Sequence, residues 1–167
     1  MKNLLFLMST VVLSGLLFTS CDKGDDEVNS KIVGIWKATH TAHWYNNGYY
    51  GKLEDFDWEA NKYPEGDSEF MEFKSDGTAW EYYEGYRDQW YKWSLGSYTL
   101  KGSTLTLRGE GDGGIYEETS TVVSLTNNTL VLEDRYDEED GTPYEAYRYW
   151  YTKSPLPDAA KNAVIED

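Results

Sequence analysis

The side chains that could do chemistry are few in kind: one cysteine, Cys21, two histidines, His40 and His43, and 30 carboxylates in 167 residues. On a strand, residues three apart point to opposite faces, so His40 and His43 cannot jointly grip a metal. No cysteine follows Cys21, so a zinc site lacks ligands. "EDRYDEEDG", Glu133 to Gly141, concentrates acids. Calcium asks for about 6–8 oxygens from a shaped loop, and these acids lack the alternating spacing that provides them. The stretch reads as a solvated turn. Paired carboxylates can hydrolyse glycosides, but among 30 acids no spacing singles out a pair. "GEGDGG", Gly109 to Gly114, lacks the lysine and following helix of a phosphate loop and reads as a hairpin tip. The expectation is no catalytic set, no metal and no cofactor: not an enzyme.

Aromatic side chains remain, with 7 Trp, 15 Tyr and 5 Phe. What they do depends on the strands that carry them. From Gly34 onward Trp, Tyr, Thr and Val alternate with polar residues, and turn residues recur at short intervals, the pattern of antiparallel β-structure. In "GIWKATHTAHWY" strict alternation puts Trp36, Ala38, His40, Ala42 and Trp44 on one face. A two-residue turn at Asp76-Gly77 would set Phe73 opposite Trp80, with Met71 and Tyr82 on the same face. "YTLKGSTLTL" (from Tyr98) and "VSLTNNTLVL" (from Val123) echo each other. Their turns, Gly102-Ser103 and Asn127-Asn128, set Leu100 opposite Leu105 and Leu125 opposite Leu130. Tyr147, Tyr149 and Tyr151 share one face of the last strand. Eight strands are expected, over 35–45, 69–74, 78–84, 89–99, 104–108, 115–125, 129–136 and 144–152. Eight antiparallel strands can close into a barrel and so remove their exposed edges; an open sandwich is the competing architecture. Asn46 to Ser68 is long for a connection and reads as a packed cap or a gating lid, with a short helix near Leu53 to Ala60. Asp158 followed by alanines suggests a short C-terminal helix.

"IVGIWKAT", "FMEFKSDGTAW", "YTLKGSTLTL" and "VVSLTNNTLVLE" resemble the lipocalin-like domain family of bacterial lipoproteins, and Gly34-x-Trp36 resembles the G-x-W of lipocalins proper. The resemblance runs from about Ile32 to Tyr151. It implies an all-β, eight-stranded antiparallel up-and-down barrel.

The N-terminus carries a different message. Lys2 precedes an uncharged, mostly apolar run from Leu4 to Phe18, and Thr19-Ser20 lead to Cys21. A charged start, a short apolar core and small residues describe a secretory signal peptide. The run is too short to span a bilayer comfortably, since that takes roughly 20 residues. "FTSC" resembles the lipobox cleaved before a lipidated cysteine, so Cys21 is the expected lipidation site and first mature residue. "CDKGDDE" also resembles the acidic export signal of Bacteroidota surface lipoproteins. The expected organisation is a signal peptide over 1–20, a lipidated acidic tether over 21–31, a barrel over 32–152 and a tail or short helix over 153–167. The net charge of −15 repels polyphosphate, so nucleic acid is not an expected partner.

These readings converge on a non-enzymatic barrel held at the outer membrane through acylated Cys21, with the cell surface as one expected location. It would bind a small amphipathic or apolar ligand. Candidate pocket residues are His40, Trp44, Trp80, Tyr82, Tyr98, Tyr147 and Tyr149, with Trp58 on the lid. Two alternatives stay open: a glycan-binding module using exposed Trp and Tyr, and a structural or interaction subunit of an envelope complex with a filled barrel.

Overall fold

The computed structural model describes residues 30–47, 49–65, 69–111 and 113–166. The expected signal peptide, Cys21 and most of the tether lie outside these residues.

Eight long strands form a closed antiparallel barrel. They are β1 Gly34–Tyr45, β3 Glu69–Phe73, β4 Thr78–Glu84, β5 Trp90–Lys101, β6 Thr104–Gly111, β7 Gly114–Leu125, β8 Thr129–Asp137 and β9 Pro143–Lys153. Each pairs with the next, and β9 returns to pair with β1. Two short strands sit at the margins: β2 Tyr63–Pro64 on β1, and β10 Val164–Ile165 parallel to β5. Both leucine hairpins have the expected register, Leu100 opposite Leu105 and Leu125 opposite Leu130. Gly102 adopts φ +58°, the left-handed conformation its tight turn requires.

Two departures from the expected alternation, each of one residue, decide which side chains of β1 and β4 face inward. Between β3 and β4, Phe73 pairs with Ala79, and Trp80 faces Glu72. The cause is a three-residue loop, Ser75-Asp76-Gly77. Gly77 takes φ +84°, and Asp76 Oδ1 accepts from the Thr78 amide at 3.0 Å and its hydroxyl at 2.7 Å. In β1 a bulge at Thr39 interrupts the ladder with β9. The Thr39 hydroxyl donates to the Trp150 carbonyl at 2.9 Å, and its own carbonyl accepts from the Glu65 amide at 3.0 Å. An extra residue reverses every side chain beyond it. Trp36 and Ala38 therefore point inward before the bulge, and Thr41 and His43, opposite Tyr149 and Tyr147, point inward after it. His40, Ala42 and Trp44 are turned outward.

One end of the barrel is filled. Ile32, Trp36, Phe73, Ala79, Leu100, Leu105 and Leu130 are buried together there. The Trp36 indole donates to the Ile32 carbonyl at 2.7 Å, and Lys153 Nζ lies 5.0 Å from the ring and donates to the Val33 carbonyl at 2.8 Å. The outer wall is covered by the segments that are not barrel. Phe56 and Trp58 pack over Ala42, Trp44 and Ala146. The segment they occupy is thus a cover on the wall, and among its described residues it forms one 3-10 turn, Leu53–Asp55, shorter than the helix expected near Leu53 to Ala60. The C-terminal segment forms one 3-10 turn, Ala159–Asn162, and lays Ala160 and Ala163 on Phe70, Tyr82 and Trp90.

Candidate functional site

Above the filled end the interior opens into a cavity of about 310 Å³. Its floor is Met71, Leu95, Leu107 and Leu132; its walls are Tyr116, Tyr149, Tyr151 and Trp93, with Glu81, Glu118, Ser120 and Asp134. Strand parity explains the mixture. Along β7, Tyr116 faces Gly109, Glu118 faces Leu107 and Ser120 faces Leu105. Along β9, Tyr147, Tyr149 and Tyr151 face Asp134, Leu132 and Leu130 of β8. Gly109 matters to this shape: a Cβ there would fall 2.4 Å from the Tyr116 hydroxyl, so the missing side chain is what lets that ring lie across β6.

A second space of about 140 Å³ shares Met71, Glu81, Tyr149 and Tyr151 with the first and adds Glu65 and Glu69. At the mouth, a wider one bounded by Glu65, Glu69, Glu81, Tyr83, Glu84, Trp93 and Glu166 opens to solvent. The Trp93 indole donates to Glu81 Oε2 at 2.5 Å, and the Tyr83 hydroxyl donates to Glu166. Beside the cavity His43 stacks on Tyr147 at 4.3 Å and bonds Glu145 at 2.8 Å. The Tyr147 hydroxyl donates to the same carboxylate at 2.7 Å, and that bond more than burial pushes its pKa up to about 12. Asp134 Oδ1 is buried without a hydrogen-bond partner. Burial, followed by the neighbouring Glu118 and Glu133 charges, raises the Asp134 pKa against the lowering effect of a Ser120 hydrogen bond. Burial also raises Tyr149 and Tyr151, so the tyrosines of this cavity are neutral. Among the described residues no three His, Cys, Asp or Glu groups converge as they would around a metal ion.

Of the eight residues singled out as a pocket, only Tyr149 lines the 310 Å³ cavity, with Tyr147 next to it on the same face. Tyr98 points inward but belongs to the filled end, edge-on to Phe73 and bonded to the Lys74 carbonyl at 2.9 Å. The other five are on the outer wall. His40 and Trp44 are there because of the Thr39 bulge, and Trp58 because its segment packs on Trp44. Trp80 and Tyr82 are there because the β3–β4 loop has three residues. The residues that sequence reasoning missed are the inward carboxylates Glu69, Glu81, Glu118 and Asp134, along with Tyr116 and Trp93. Their one local signal was alternation, as in Tyr116-x-Glu118-x-Ser120, and it does not say which parity faces in.

The solved structures that match this chain share little sequence with it. The complex of bovine odorant binding protein with undecanal matches at 17% identity over 79% of this chain and 77% of its own, with a TM-score of 0.40. Apocrustacyanin C2 matches at 13% identity over 80% and 71%, with a TM-score of 0.48. Lobster apocrustacyanin A1 matches at 12% over 81% and 68%, with a TM-score of 0.40. No curated protein matches the sequence significantly. A family profile described as a lipocalin-like domain covers residues 32–132, from just before β1 into β8. With that match over more than half its length and a closed eight-stranded barrel, the chain belongs to the lipocalin-like domain family.

Proposed function

We propose that this protein is a lipid-anchored binding barrel that takes one small amphipathic molecule into its upper cavity. Membership of the lipocalin-like domain family supports a binding role rather than a catalytic one. The observation that supports the reading best is the cavity itself. About 310 Å³ is at the lower end of small-ligand sites, and an apolar floor beneath tyrosine and tryptophan walls suits a molecule with one apolar and one polar end. Burying the apolar end contributes roughly 25 cal/mol per Å² before ordering costs.

Native mass spectrometry of the purified protein tests the cavity by recovery of a bound small molecule. Ser120→Trp, which places a large ring in the space, should abolish that recovery. An empty wild-type protein, together with failure of any apolar fluorescent probe to enter, would sink the reading. The anchor is tested separately. An alkyne-tagged fatty acid fed to cells should label the wild type and leave Cys21→Ala unlabelled in the non-membrane fraction. Two chains on one cysteine hold a domain at a bilayer, whereas one is marginal.

A further inference from the structure

The cavity is one-sided in charge. Glu69, Glu81, Glu118 and Asp134 line it or its neighbouring space, and Glu65, Glu84 and Glu166 stand at the mouth. None of the residues that line these three spaces is lysine, arginine or histidine. The rest of the barrel is arranged differently. On the outer wall Lys74 and Lys92 lie over Trp80, Lys62 over Trp150 and Arg148 over Trp58, while Lys153 lies over Trp36 at the filled end. Arg148 also pairs with Glu133. These cations serve aromatic faces and a carboxylate away from the three spaces; Arg135, which lines a neighbouring hollow with Glu118 and Asp134, pairs with Asp137, and His43 beside the cavity bonds Glu145. The rings of Tyr116, Tyr149, Tyr151 and Trp93 are not among those that carry one.

We infer that the cavity selects organic cations: a protonated or quaternary amine on a small aromatic or apolar body. This rests on the reading of the cavity as a small-ligand site and adds the ligand's charge. Tyr116, Tyr149, Tyr151 and Trp93 line the space, and aromatic rings attract cations more strongly where water is excluded. The buried, unpartnered Asp134 Oδ1 lacks a donor, and an ammonium group supplies up to three. A ligand carboxylate would instead enter among acids, an arrangement that costs affinity. A bare metal ion does not fit, because the acids are spread around the wall rather than converged. The apolar floor of Met71, Leu95, Leu107 and Leu132 takes the uncharged end.

Three indoles of nearly equal size test this in calorimetric titrations of the purified full chain: tryptamine, the neutral alcohol tryptophol, and indole-3-acetate. Tryptamine should bind at least about tenfold more tightly than tryptophol, a difference of about 1.4 kcal/mol, and indole-3-acetate should bind weakest. The double variant Glu118→Gln/Asp134→Asn should remove most of the tryptamine preference and leave tryptophol within about twofold. The single variant Glu81→Gln, on the opposite wall, should weaken tryptamine in the same direction. A parallel titration with the neutral apolar probe N-phenyl-1-naphthylamine reports cavity entry independently of charge. If that probe enters but tryptamine has no advantage, or the acid binds as well as the amine, the charge inference is overturned and the binding reading stands. If neither probe nor any indole binds, both fall.

Discussion

Asp134→Asn should make the barrel more stable at neutral pH, and the gain should vanish in acid. Asp134 Oδ1 is buried without a partner, and burial with the charges of Glu118 and Glu133 holds the folded-state pKa above its ordinary 3.8. A buried polar atom left unsatisfied costs about 1–3 kcal/mol. The amide keeps an oxygen to accept from Ser120 and gains an NH₂ that can donate toward Glu118, without a charge to desolvate. We expect a gain of about 1–2 kcal/mol at pH 7.5, roughly 3–8 °C in Tm for a domain of this size. The sign follows from linkage: the folded state holds this proton more tightly than the unfolded state. The wild type therefore loses stability as pH rises from 3.8 through the raised folded value, and the variant does not. The advantage should open across that window and stay constant above it. At pH 3, where Asp134 is protonated in both states, the two proteins should melt together. Thermal unfolding followed by near-ultraviolet circular dichroism at pH 3, 5 and 7.5 is sufficient. Equal melting at pH 7.5, or an undiminished advantage at pH 3, would refute the account.

Other outcomes follow from the packing. Trp36→Ala empties the filled end and should cost about 3–5 kcal/mol in urea denaturation, since a fully buried ring and its bond to Ile32 are lost together. Gly96→Ala should cost about 2 kcal/mol or more by the same measurement, because Gly96 has φ +81° and a Cβ would sit 2.2 Å from the Arg108 carbonyl oxygen. Trp58→Ala should destabilise by about 2–4 kcal/mol and speed proteolysis within residues 46–62 by uncovering Trp44, while tryptamine affinity stays unchanged. A large loss of affinity in that variant would restore Trp58 to the binding site.

Local signals in the chain sufficed for the eight barrel strands and their approximate bounds, and they favoured closure over an open sandwich, which the β9–β1 pairing then decided. Alternation and turn residues are local properties, and Gly102-Ser103 and Asn127-Asn128 sit where the chain turns back. Fold class follows because eight consecutive strands of this length hide their edges most simply by closing. The sequence did not determine parity. One extra residue at Thr39 and one at the Ser75-Asp76-Gly77 loop reversed His40, Trp44, Trp80 and Tyr82, because a side-chain period of two has no memory across an insertion. The bulge's bonds reach to Trp150 and Glu65, far along the chain, so no local window contains its cause. Nor did the sequence separate Glu69, Glu81, Glu118 and Asp134 from the other acids. A carboxylate acquires a distinct environment only when β3, β4, β7 and β8 bring it to the same end of the barrel. The sequence therefore specifies a lipocalin-like wall, and tertiary contacts decide which of its side chains the cavity presents.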